Sequence, residues 1–115
     1  MGDLSLNFSK WEFKCSHCGR RVGPSSALIG ILQRARTEKG RPLHIVSGYR
    51  CAAFNKTVGG VKNSEHLTGN AADVISNYGT VEEWTHWGAG GIGVGDAGVI
   101  HVDCRPGWHG HVFRE

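Results

Sequence analysis

The sequence predicts an α+β protein, a small single domain over residues 1–115 with a central antiparallel sheet flanked by helices. Three observations lead there. The length of 115 residues is that of one ordinary domain, able to bury about two thirds of the surface its unfolded chain exposes. The order of elements is one helix first, then short strands mixed with short helices, which suits an antiparallel sheet. Eighteen glycines mark a loop-rich chain with several positions of positive φ or close backbone approach.

The elements follow in order. Residues 1–24 are an aromatic, cysteine-containing lead-in, "WEFKCSHCGRRVGP" at its end, closed by a Gly-Pro break. Ser25 or Ser26 caps a helix whose apolar face is Leu28, Ile29, Ile31, Leu32 and Ala35, with Gly40 as its stop. "PLHIVSGYR" reads as a strand running into a turn. Ala52 to Val58 forms a short helix stopped by Gly59-Gly60, and "AADVI" is a buried strand. Thr80 with Glu83 three residues on is a capping box opening another short helix. Gly90 to Val94 and Val99 to Asp103 make a hairpin around "GDAG". The tail, residues 106–115, reads as irregular.

A hydrophobic fraction of 39% marks a globular chain. The net charge of +3 and pI of about 8.8 are a mild basic bias, which suits an anionic polymer such as a bacterial wall and equally an ordinary soluble surface. No Lys/Arg run with interleaved aromatics is present, so nucleic acid is not expected as a partner. No stretch approaches the ~20 apolar residues that span a bilayer, so no membrane insertion is expected. "MGDLSLNFSKWEF" has no basic region leading into an apolar one. The expectation is synthesis in a cytoplasm without a signal peptide.

Of seven histidines, two have company. His66 lies seven residues before Asp73, across a turn at Gly69. His101 lies in "VIHVDCR", where alternate residues share a face, so His101 and Asp103 point the same way about 7 Å apart by strand rise. Two imidazoles and one carboxylate make a catalytic zinc set, whose open fourth position takes a water of pKa lowered towards ~7. Asp73 offsets half the metal charge, and the remaining positive charge favours a developing oxyanion. Spacing of this kind also arises by chance.

"SGYRCAAFNKTVGGVKNSEHLTGNAADV" followed by "GGIGV…VIHVDCR" resembles the zinc D-Ala-D-Ala carboxypeptidases of bacteria and phages. That superfamily also holds D-Ala-D-Ala dipeptidases, phage L-alanyl-D-glutamate endolysins and the Hedgehog signalling domain. The resemblance runs from "NFSKWEF" to Arg105. It implies a Hedgehog/DD-peptidase-like fold and one catalytic Zn2+ held by His66, Asp73 and His101. It implies Arg50, in "SGYR", as the arginine that contacts substrate near the scissile bond. Ser64 then orients the loop or the substrate, or is simply a turn-forming serine. The implied substrate is the peptide stem of peptidoglycan, cut by a D-Ala-D-Ala carboxypeptidase or endopeptidase acting as a monomer. An L-Ala-D-Glu endopeptidase and a non-catalytic zinc-bound binding module are the alternatives. Together with the missing signal peptide it implies phage lysis or a virion-associated hydrolase that meets the wall after release.

The chain departs from the pattern at Gly98. Many relatives carry an acid three residues before the last ligand as general base. Asp103 is preferred here as that base, with a supporting role behind the metal ligand as the competing reading.

Cys15 and Cys18 form a C-x-x-C, with Cys51 and Cys104 far along the chain. Two disulfides, a second, structural zinc on four thiolates, and free thiols all remain open. Relatives often carry a cysteine after "EF" and a "YRC", which suggests that these two regions meet. Trp11 and Trp84 read as core, Trp87 and Trp108 as exposed near glycines. His109 and His111 read as a solvated tail, and His17, His44 and His86 have no evident partner.

Overall fold

The structure is a computed structural model that describes residues 6–20, 23–59 and 64–114. Gly60, expected to help stop the second helix, and the first five residues of the lead-in lie outside that range. The chain order is a 3-10 turn at Lys10–Phe13, α1 (Ser26–Lys39), β1 (Ile45–Ser47), α2 (Ala52–Thr57), a second 3-10 turn at Glu65–Thr68, β2 (Ala71–Val74), α3 (Val81–His86), β3 (Gly91–Gly95), β4 (Gly98–Asp103) and β5 (His111–Arg114).

The local signals act as expected. Ser25 Oγ accepts the Leu28 N–H, and Gly40 ends α1 at φ 70° while donating its N–H to the Arg36 carbonyl. The expected face of Leu28, Ile29, Ile31, Leu32 and Ala35 is buried. Around α3, Thr80 Oγ1 accepts the Glu83 N–H as the Glu83 carboxylate accepts the Thr80 N–H.

The five strands form one sheet in the order β1-β2-β4-β3-β5. Pairs β1–β2, β2–β4 and β3–β4 are antiparallel. The fold is therefore α+β as expected. The tail does not stay irregular: its last four described residues pair parallel to β3, from Gly91↔His111 to Val94↔Arg114, and make the sheet mixed. "HVFR" is too short to show a period among Gly and Pro punctuation. What recruits it is the open edge of β3, whose unpaired backbone groups need partners.

Phe8, Phe13, Leu28, Leu32, Ala72, Trp84, Ile92 and Val102 are core residues with at most 1% exposure, uniting lead-in, α1 and the sheet. Burying each such large side chain is worth roughly 1.5–3 kcal/mol. Trp87 belongs to this core, edge-on to Trp84 at 4.9 Å, against its expected exposure near a glycine. Gly79 makes room for the pair, because a Cβ there would meet both indoles. Trp11, expected in the core, is 60% exposed, and Phe8 and Phe13 anchor the lead-in instead. No helix among the described residues is long and apolar enough to cross a membrane.

Candidate metal centre

Strand register assembles most of the site. In the β2–β4 pair, Asp73 lies directly opposite His101, and Ala71 opposite Asp103. A direct antiparallel pair puts two side chains on one face about 4.5–5.5 Å apart at Cβ. His66 arrives from the preceding 3-10 turn. Ser64 Oγ accepts the His66 N–H at 3.2 Å to open that turn, and Gly69, at φ 76°, closes it and returns the chain into β2. A positive φ here is what glycine adopts without strain.

The three side chains converge. His66 Nε2 lies 3.1 Å and His101 Nδ1 3.3 Å from the same oxygen, Oδ1 of Asp73. Both imidazoles are buried, and the three residues form a group with ligand atoms mutually within 4.8 Å. Each ring is oriented through its other nitrogen. His66 Nδ1 donates to the Gly48 carbonyl at 2.6 Å. His101 Nε2 donates to Asp103 Oδ2 at 2.9 Å. Without a metal, His66 Nε2 and His101 Nδ1 point at the Asp73 carboxylate; with the other nitrogens committed to Gly48 and Asp103, these two are the ones left to offer lone pairs to a cation. A tetrahedral ion with bonds of about 2.0–2.1 Å sets its ligand atoms about 3.3–3.4 Å apart. The observed separations fit that spacing, so His66, Asp73 and His101 suit zinc.

The electrostatics agree with a site prepared for a cation. Burial opposes charge on Asp73, but hydrogen bonds from His101 and His66 outweigh it and hold its carboxyl well below the usual range. Burial likewise opposes charge on His101, yet the carboxylates of Asp103 and Asp73 raise its pKa to about 9. A cation between these groups replaces the imidazolium proton as the counterion of one buried and one half-buried carboxylate.

Arg50 lies at the edge of this cluster. Its Nη2 donates to Asp73 Oδ2 at 2.7 Å and its Nη1 to Asn55 Oδ1 at 3.3 Å, while its backbone N–H binds the His66 carbonyl. The ion pair is with a metal-ligand candidate at the site, which sets it apart from a surface pair. Ser64, expected to orient loop or substrate, is seen orienting the loop.

Asp103 has no solvent-exposed surface. It accepts from His101 Nε2, from the Gly91 and Arg105 backbone N–H groups, and from Arg105 Nε and Nη2. Burial works against its charge, but His101 and Arg105 keep its carboxyl far below the usual range. A carboxylate so saturated with donors is a poor proton acceptor. This environment favours the competing role behind His101 over that of general base. Gly91 is part of the same device: a Cβ there would overlap the Asp103 carboxylate. Gly98 sits at φ 119° with Ser76 O in the place a Cβ would approach. The hairpin therefore leaves no unstrained place for an acidic side chain at position 98.

Sequence reasoning missed Arg105, Gly48 and Asn55. Arg105 offered one signal, two residues beyond Asp103 on the same side of the chain. It also lies over the Trp108 ring at 3.9 Å, and Phe113 stands edge-on to His101 at 5.3 Å, so the added strand walls the site.

The four cysteines do not assemble as one group. All are free thiols. Cys15, Cys18 and Cys51 cluster within 4.8 Å, whereas Cys104 Sγ lies 3.2 Å from Ser25 Oγ and 3.5 Å from the Asn70 carbonyl. This rules Cys104 out of a four-thiolate site in this arrangement. Burial raises the Cys15 pKa, but backbone N–H groups of Cys51, Cys18 and His17 outweigh it and bring the thiol to about 6.

The family model described as Peptidase M15 matches residues 3–103, a span that holds His66, Asp73, His101 and Asp103. No curated protein matches the chain.

Proposed function

The chain belongs to the Peptidase M15 family of zinc metallopeptidases, and from that premise we propose that it hydrolyses the peptide stem of bacterial peptidoglycan. The favoured bond is D-Ala-D-Ala, cut as a carboxypeptidase or endopeptidase. The observation that carries this reading is the convergence of His66, Asp73 and His101 beside the Arg50 guanidinium.

When bound, zinc supplies Lewis acidity towards a peptide carbonyl and makes water acidic enough to react near neutral pH. The rest falls to the chain. Gly48 and Asp103 hold the two imidazoles in the orientation and tautomer that present a lone pair. Arg50 keeps its charge throughout and has N–H donors beyond those given to Asp73 and Asn55, enough to grip a terminal carboxylate or to donate to a developing oxyanion. Phe113 packs edge-on against His101 and covers that side of the ring. The hydroxyl of water joins the acyl carbon and its proton leaves with the amine. The basic surface, net +3, concentrates the enzyme at an anionic wall. It acts there as a monomer after release, in phage lysis or as a virion-associated hydrolase.

The saturation of Asp103, with Gly98 where relatives carry an acid, favours one second reading: a zinc-bound binding module on the same fold. Mass spectrometry of peptidoglycan fragments incubated with zinc-loaded protein decides, with His66→Ala as control. Loss of a terminal D-alanine absent from the control supports the carboxypeptidase. A cut between L-Ala and D-Glu keeps the peptidase and changes its bond. Intact fragments from walls of several chemotypes favour the binding module.

A further inference from the structure

The lead-in folds back on itself between Cys15 and Arg20. The Cys15 carbonyl accepts the Gly19 N–H at 2.8 Å, the Cys15 N–H binds the Arg20 carbonyl at 2.9 Å, and Gly19 turns the chain at φ 74°. This brings the Cys15 and Cys18 sulfurs together and points them at Cys51, all three within 4.8 Å of one another. The Cys51 N–H is aimed at Cys15 Sγ at 3.4 Å, a contact that favours a thiolate there. Cys51 Sγ in turn accepts the Phe54 N–H at the start of α2.

Inside the same loop, His17 Nδ1 lies 3.5 Å from Cys51 Sγ. Its ring is stacked on Phe54 at 6.1 Å and an interplanar angle of 6°. Tetrahedral zinc with bonds of about 2.3 Å to sulfur and 2.0–2.1 Å to nitrogen separates its S and N ligands by about 3.5 Å and two sulfurs by about 3.8 Å. The Cys51–His17 pair has the S–N spacing, and the three sulfurs lie within 4.8 Å of one another; His17 is outside that group, so its ring must turn further in to complete a tetrahedron. Three clustered thiols also pair badly as disulfides, since one is always left over.

We propose that Cys15, Cys18 and Cys51 bind a second, structural zinc ion, and that the His17 ring turns in from its place beside Cys51 to give Nδ1 as fourth ligand. With all four positions filled by protein, the ion has no opening for water and serves as a staple. It joins the lead-in to the segment that carries the reactive side chains. Arg50 immediately precedes Cys51, the Tyr49 N–H binds the Phe13 carbonyl at 2.9 Å, and a Cβ at Gly48 would overlap the Phe13 backbone. The staple thus holds the Gly48 carbonyl that orients His66 and the backbone of Arg50. It stands whether or not the chain cuts peptide.

The test is metal analysis of the purified reduced protein, with Co2+ exchanged for zinc as a spectroscopic probe. The wild type is expected to hold two metal ions per chain and to show near-ultraviolet thiolate-to-cobalt charge-transfer bands. His66→Ala should hold one ion and keep those bands. Cys18→Ser, at an exposed position, should hold one ion and lose them. His17→Ala should weaken metal binding at the thiols by at least about tenfold, and His17→Cys should restore it. One ion in the wild type without thiolate bands overturns the proposal. So does a mass lower by two hydrogens, with a disulfide among the three cysteines, in protein purified without reductant. Unchanged affinity in His17→Ala removes His17 as the fourth ligand. The wild-type spectrum requires no variant to fold.

Discussion

The two clusters of metal-ligand residues are built in opposite ways. The His66–Asp73–His101 group stands on paired strands, with both imidazoles buried and each tied through its second nitrogen to a fixed acceptor. The Cys15–Cys18–Cys51 group stands on turns, with Cys18 exposed and its loop held by two backbone hydrogen bonds. The sheet site is in place before any ion arrives, at the cost of three buried ionisable groups. The loop site depends on its ligand far more for its shape. Preorganisation of the first kind suits a centre that must leave a position open for chemistry. The second kind suits an ion that acts as a cross-link.

Breaking the sheet site outright should have the largest effect. His66→Ala is expected to reduce peptide hydrolysis by ~10³-fold or more, the scale of losing an electrostatic catalyst. Thermal stability should change little if the loop site still loads; turnover assays beside melting curves check both. Asp103→Asn should lower zinc affinity by about 10–100-fold, because His101 loses its charged acceptor. At saturating zinc, hydrolysis should recover. Full zinc retention with abolished hydrolysis would return Asp103 to the role of base.

Gly91→Ala tests how tightly the support is packed. Its methyl group meets the Asp103 carboxylate, so a loss of about 1–3 kcal/mol is expected in denaturant unfolding. A neutral result would mean that the Asp103 carboxylate has room to shift away from position 91.

In the metal-free protein, pH should expose the same contrast. The folded pKa of His101 is raised from 6.5 to about 9, so its contribution to stability is full below ~6.5 and lost as pH rises through about 9. Asp73 and Asp103 are depressed below 3.8, so theirs is present above that value and lost as pH falls beneath it. Metal-free melting temperature should peak between these limits, and zinc binding near pH 7 should release a proton from His101. Calorimetry in buffers of different ionisation enthalpy measures that proton. The smallest effect belongs to Ser64→Ala, which removes one cap from the His66 turn and should cost about 0.5–1 kcal/mol in chemical denaturation.

Much of this was open to reading from the chain alone. Caps, glycine stops and apolar spacing act within a few residues, so α1, α3 and the β3–β4 hairpin carry their own instructions in Ser25, Gly40, Thr80 and Glu83. The His66, Asp73 and His101 set was visible in the family resemblance and in the shared face of His101 and Asp103. What local pattern does not carry is register. Only the β2–β4 pairing puts Asp73 opposite His101, and only three-dimensional packing gives Asp103 to Arg105 and Gly91. The same holds for β5, drawn in by an open edge, for Trp87 exchanged with Trp11 as a core residue, and for Cys104 separated from the other thiols. Each of these depends on groups far apart in sequence competing for the same partners. Short-range chemistry is written along the chain, whereas the outcome of that competition exists only once the chain has closed on itself.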